Sequence, residues 1–128
     1  MEQLVSVKIV TKEIHLENNA LPEGEFQINP SFTRTVGYLD DDNAFTELTV
    51  EINNTDEKPF PINLKVVMDG VFNLNSIKNE DRDYFLRVTA VTIIFPYLRS
   101  MISSITTSSF FPPIVFPVID VLKLFPEE

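Results

Sequence analysis

The chain has 128 residues, 19 acids against 10 bases, a net charge of −9 and no cysteine. That length suits one domain, residues 1–128. The missing cysteines exclude disulfides and thiolate metal sites, and the acidity argues against nucleic acid, whose binding rests on cations meeting phosphate. Residues 1–64 hold 12 of the acids and only 4 bases, which fits a basic protein partner or plain solubility. The opening MEQLVSVKIVTKE mixes acids and lysines among apolar residues and is no secretory signal. No unbroken run reaches the roughly 18 apolar residues of a membrane span. The reading is a cytoplasmic protein with no direct membrane insertion.

In chain order, residues 4–17 read as a strand whose apolar positions change parity. Val5, Val7 and Ile9 are odd-numbered; Ile14 and Leu16 are even. A period of two slips only if a residue is added, so a bulge is expected near Val10–Lys12. Residues 18–31 form a long, turn-rich connection that still carries Leu21, Phe26 and Ile28. A second strand covers 32–40, and Asp40–Asn43 is a turn. Strand 44–53 puts Thr46, Leu48, Val50 and Ile52 on one face. After the polar loop NNTDEKP comes the clearest strand, with Ile62, Leu64, Val66, Met68, Phe72 and Leu74 in alternation and Gly70 in the gap. One face buried and one wet is the mark of an antiparallel sheet.

The period then changes to that of a helix. Tyr84, Val88, Val91, Phe95, Leu98, Ile102 and Ile105 recur at steps of four and three, the spacing of an apolar stripe. Asn79 before Glu80 and Asp81 is expected to cap it. The run VTAVTIIF favours strand by propensity, but the helical period outlasts it. Pro96 is expected to kink or break the helix. Phe85, Ile94 and Met101 fall outside the stripe, more apolar surface than one sheet covers, which points to self-association. The stretch FFPPIVFP, 110–117, is an extended connector, because its prolines donate no hydrogen bonds and bias the preceding residues away from helix. VIDVLKLF makes a short last helix. Strands first and helices after make an α+β fold, a four-stranded antiparallel sheet followed by a long helix and a short C-terminal helix.

Catalysis finds little support. With three glycines and one histidine, there is no phosphate loop and no nucleophile–base pair, so no enzyme activity and no cofactor are expected. His15 lies between Glu13 and Glu17 on one strand face, but same-face neighbours stand about 7 Å apart, too far to share an ion unaided. No metal site is expected there, nor at Asp40–Asp42, which reads as a hairpin tip. What remains is hydrophobic recognition. Eleven phenylalanines and no tryptophan leave two readings for the connectors 18–31 and 108–117: ordinary core, or the walls of an open groove.

The stretch IIFPYLRSMISSITTSSFFPPIVFPVIDVLKLF, residues 93–125, resembles the C-terminal region of the bacterial protein-export chaperone family SecB. There an FPY-led helix is followed by a small polar junction, Phe-Pro, an apolar stretch with another proline, and a short helix. IVTKEIHLE, 9–17, is similar to the family's first-strand motif, and GVFNL, 70–74, to the end of its fourth strand. The resemblance implies a dimer of dimers, a homotetramer, that holds unfolded polypeptide clients without ATP for Sec-dependent export. It implies a client groove at Leu21, Phe26, Ile28, Phe110, Phe111, Ile114 and Phe116. It also implies docking of the SecA ATPase at Glu13 and Glu17, and support of assembly by Leu64, Val66 and Met68. Asn63 and Lys65 stand where the family has a leucine and an acid, and the family's longer tail is missing after Glu128. A solitary relative that holds an antitoxin therefore stays open as the alternative, as does an assembly module that is no chaperone.

Overall fold

A computed structural model describes residues 7–116 and 121–125. Its elements are strands β1 (Val7–Asn18), β2 (Ser31–Tyr38), β3 (Asn43–Ile52) and β4 (Ile62–Asn73), then helices α1 (Asn79–Tyr84), α2 (Ala90–Ser108) and α3 (Val121–Leu124). The fold class expected from the sequence is the one found. The expected strand start at residues 4–6 and the first residues of the last helix lie outside the described residues.

The four strands form one antiparallel sheet in the order β1-β4-β3-β2. Strands β2, β3 and β4 run as a meander, and β1 returns beside β4. So β1 and β2 occupy opposite edges, and the link 19–30 must cross the width of the sheet, three strand spacings or about 14 Å. The bulge sits where the parity change puts it. Thr11 pairs with Met68 and Glu13 with Val67, leaving Lys12 as the extra residue.

The alternation in β3 and β4 holds except at Val67, which is buried on the outer face. Thr46, Leu48, Val50 and Ile52 are buried, and so is the even-numbered row of β4. The helical layer packs on this face, chiefly on β4 and β3. Phe72 meets Phe85 edge-on, ring centroids 5.3 Å apart. Gly70 admits the closest approach: a Cβ there would lie 2.8 Å from Ile94 Cδ1, nearer than packed carbons tolerate. On the same side of the sheet, Val7 and Ile14 of β1 stay exposed.

The helix buries Val91, Phe95, Leu98 and Ile102 of the expected stripe but departs from it elsewhere. The buried line is Leu86, Ala90, Ile94, Leu98, Ile102 and Thr106, flanked by Val91 and Phe95. Tyr84 is exposed and Ile94 fully buried. The cause is a wide π turn over Phe85–Thr89, between α1 and α2. Its extra residue rotates everything before it relative to everything after. The hydroxyl of Thr46, buried in the sheet, donates to the Leu86 carbonyl at 2.7 Å, inside this turn. Pro96 does not end the helix: it lies within α2 on the exposed side, where the carbonyl it leaves unbonded, that of Thr92, faces water. Nor is Asn79 the cap. Lys78 takes the extended cap position with no side-chain bond, and Asn79 opens the helix. By length and composition the run Asn79–Ser108 would suffice to cross a membrane; here one side of it is packed on the sheet.

Two polar clusters fasten the end of the sheet where this helix begins. Asp40 accepts the Asp42 and Asn43 amides at 2.9 and 2.8 Å and the Asn43 side chain at 3.0 Å. These bonds, the Asn43 side chain first, hold its carboxyl below the usual range. Arg82 donates to the carbonyls of Ile77, Asp41 and Leu74 at 3.1, 2.9 and 2.9 Å, and pairs with Asp42 at 3.3 Å. One guanidinium thus joins the β2–β3 hairpin, the end of β4 and the start of α1.

Candidate functional site: an apolar cleft and the outer sheet face

The link 19–30 is pinned at its start. Asn19 donates its amide to the Pro61 carbonyl at 2.8 Å and its side chain to the Phe60 carbonyl at 3.1 Å. Phe60 is held in turn by its amide bond to Asn54 Oδ1, 3.0 Å. These bonds bring the crossing link against the start of β4, and Phe26 lays its ring edge-on to Phe60, centroids 6.4 Å apart.

The second link leaves α2 through its polar last turns. Phe110 donates to the Thr107 carbonyl and Phe111 to the Thr106 carbonyl, both at 3.0 Å, the paired bonds of a Schellman end. Thr106 Oγ1 then accepts the Ile114 amide at 3.0 Å, and Ser103 Oγ donates to the Ile114 carbonyl at 2.8 Å. The small hydroxyl residues before the prolines therefore satisfy both the amide and the carbonyl of Ile114, the first residue after the proline pair.

Between the links opens a cleft of 220 Å³. Phe26 and Ile28 line it from the crossing link, Phe60 and Ile62 from the start of β4, and Phe111–Ile114 from the helix link. That volume is smaller than a drug-sized pocket and suits one or two side chains. A more polar cleft of 250 Å³, with Glu25, Glu57 and Lys58 on its walls, adjoins it and shares Phe26.

Of the residues that the resemblance assigns to a groove, Phe26, Ile28, Phe111 and Ile114 come together here. Ile28 is 43% exposed, while Ile114 is buried and forms the floor. Leu21 is half-buried elsewhere on the crossing link, and Phe110 is 98% exposed and outside the cleft. Phe116 is in the core: it is 6% exposed and meets Phe32 edge-on at 5.6 Å. Phe60 and Ile62 line the cleft unforeseen, while Pro112 and Pro113 line it from the expected connector. Phe60 had a signal in the sequence, since it lies between two prolines, as apolar residues do in the helix link. Leu64, Val66 and Met68 are buried beneath the helix.

The opposite face of the sheet carries the charges. The register sets Glu13, His15 and Glu17 beside Val67, Lys65 and Asn63. Lys65 Nζ reaches Glu13 Oε2 at 3.4 Å, and Asn63 Nδ2 donates to Glu17 Oε1 at 2.9 Å. The two acids for which the resemblance implies motor docking are thus engaged by Lys65 and Asn63. Lys12, thrown out by the bulge, lies 3.5 Å from Glu47 and 3.9 Å from Asp69. Asp69 Oδ1 is buried without a protein hydrogen-bond donor. Burial first, and then the Glu47 charge, raise the Asp69 carboxyl above its ordinary range, with Lys12 opposing.

A carboxyl whose pKa is raised by folding makes its stabilising contribution when protonated, and that contribution fades as pH rises from the unfolded value of 3.8 through the folded one. Asp69→Asn, which mimics the protonated form, is therefore expected to raise the melting temperature at pH 7. The gain should shrink as the pH falls toward 4. Melting curves across that range check it, and a gain independent of pH would contradict the assignment.

Comparison with known proteins brings the cleft and the face into one frame. The family model for SecB, preprotein translocase subunit SecB, matches residues 3–128. The protein-export protein SecB of Orientia tsutsugamushi (strain Boryong) is 38% identical over 89 residues, 67% of this chain and 54% of that protein. The match spans only about half the length of that relative. The protein-export protein SecB of Chromobacterium violaceum is 30% identical over 128 residues, covering 94% of this chain and 84% of its own. Among solved structures, the Mycobacterium tuberculosis Rv1957 SecB-like chaperone, in complex with a ChAD peptide from the Rv1956 HigA1 antitoxin, superposes with a TM-score of 0.75. It is 11% identical over 90% of each chain, so that likeness is one of fold. With the family match running almost from end to end on this sheet and helix, the chain belongs to the SecB family.

Proposed function

We propose that this protein is an ATP-independent holdase, which keeps unfolded polypeptides, above all preproteins bound for Sec-dependent export, from aggregating. The observation that carries the proposal is an open apolar cleft, walled by two loop segments, in a chain of the SecB family. Relatives bearing the name protein-export protein support the export reading. The work is done in the cytoplasm, where precursors are made.

Energetics favour a loose, repeated grip. Burying one client Leu or Phe contributes about 1.5–3 kcal/mol, and ordering a disordered chain offsets much of it. A cleft of 220 Å³ holds too little alone, so tight holding needs several clefts on one client. A homotetramer, a dimer of dimers, provides them. The uncovered Val7 and Ile14 of β1 and the exposed Tyr97 of α2 support such assembly. Leu64, Val66 and Met68 would serve it from within, by holding sheet and helix as one unit. Leu21 flanks the client path, and Phe116 supports it from the core.

SecA docking through Glu13 and Glu17 must compete with Lys65 and Asn63 for the same carboxylates, so it is expected to be weak. That competition favours a second reading, a chaperone that holds the antitoxin of a toxin–antitoxin pair. Two measurements separate them. Without nucleotide, the protein is expected to suppress aggregation of a heat-unfolded client at near-stoichiometric ratios; failure to do so would overturn the holdase. Calorimetric titration with SecA then decides the branch. Measurable binding supports export, and no binding beside intact holding supports the antitoxin reading.

A further inference from the structure

The helix link gives the cleft a wall made of Phe111, Pro112, Pro113 and Ile114. Proline has no amide hydrogen, so the only amide donors in this wall are those of Phe111 and Ile114. Both go to one residue. Phe111 donates to the Thr106 carbonyl at 3.0 Å, and Ile114 to the Thr106 hydroxyl at 3.0 Å. That hydroxyl donates its own hydrogen to the Ile102 carbonyl at 2.9 Å, which leaves its lone pairs for the wall. Ser103 Oγ adds a bond to the Ile114 carbonyl at 2.8 Å. Thr106 is fully buried and continues the line of Leu98 and Ile102, a position where packing alone would favour an apolar residue.

We infer that Thr106 and Ser103 are positioning residues that hold the cleft open while it is empty. The inference rests on the holdase reading above. Apolar walls that face each other across water attract, and Phe26 and Ile28 face this one. Bonds at both ends of the wall, with rigid prolines between them, oppose that collapse. The wall is then already ordered when a client arrives, so its ordering is not subtracted from the affinity. Neither Thr106 nor Ser103 lines the cleft; both act through the backbone of the link.

The test uses reduced, carboxymethylated lactalbumin as a permanently unfolded probe, with a melting curve for each variant. Ser103→Ala and Thr106→Val are each expected to weaken probe binding about three- to tenfold per folded molecule. Thr106→Ser, which keeps the hydroxyl, should restore the affinity. In the empty protein, hydrogen exchange at the Ile114 amide should quicken in Thr106→Val and stay slow in Thr106→Ser. A residue that served stability alone would lower Tm and leave the affinity per folded molecule unchanged. If Thr106→Val does not fold, Ser103→Ala, changed at a half-buried site, decides by itself. Variants that bind the probe as tightly as wild type does make the positioning assignment wrong, and so does a Thr106→Ser that binds no better than Thr106→Val. A wild type that fails to bind the probe overturns the holdase reading and this inference with it.

Discussion

Phe111→Asp is expected to weaken capture of an unfolded client about 10- to 100-fold while the fold survives, the loss of one buried aromatic contact. Phe111 stands in the cleft wall beside Pro112 and Pro113 and opposite Phe26 and Ile28. Its structural bond runs from its backbone amide to Thr106, so changing the side chain leaves the end of α2 intact. A carboxylate there must also lose water when a client covers it, which adds to the lost contact. Phe111→Leu, apolar and smaller, should lose only part of the affinity. Titration of a labelled unfolded probe, with a melting curve for each variant, gives the answer. Full affinity in the aspartate variant would place the client elsewhere on the molecule.

Phe116→Ala should have the opposite profile. It is expected to lower the unfolding free energy by about 3–5 kcal/mol, the usual range for an aromatic ring removed from a core. That is a large share of the roughly 5–15 kcal/mol by which such domains are stable. Phe116 packs on Phe32, which leans on Phe95 of α2 at 6.0 Å. The cavity would therefore open between sheet edge and helix. Because Phe116 does not line the cleft, client affinity per folded molecule should hardly change. Urea midpoints together with binding measured well below the midpoint distinguish the two effects. A variant as stable as wild type would mean that the ring is not core.

These two phenylalanines, five residues apart in one proline-rich stretch, show where reading the chain stops. Alternation, proline content and apolar character are the same for both. What separates them is the pair of bonds from Ser103 and Thr106 to Ile114, which follows from α2 ending where it does. The charged face is a similar case. Glu13, Glu17, Asn63 and Lys65 are each plain in the sequence. That the last two engage the first two depends on register, and register depends on the one-residue bulge at Lys12. The helix stripe held at Val91, Phe95, Leu98 and Ile102, which are buried, and missed at its start, where Tyr84 is exposed, for a comparable reason. A π turn adds one residue to the turn without changing the apolar composition, so steps of three and four still look regular.

Local physics, carried by neighbours within a few residues, was readable in advance. Strand faces, the parity slip at the bulge, the hairpin at Asp40–Asn43, the helical period and the extended proline link all arise from backbone sterics and side-chain alternation over short range. The FPY and Phe-Pro run further narrowed the kinship to one family. Tertiary structure alone decided which apolar side chains face a cleft and which face the core, which acids are already engaged, and which side of the helix meets the sheet. Those outcomes depend on contacts between residues far apart in the chain, such as Glu17 with Asn63 and Phe32 with Phe116. Burial is a property of the space two segments share, and neither segment carries it alone.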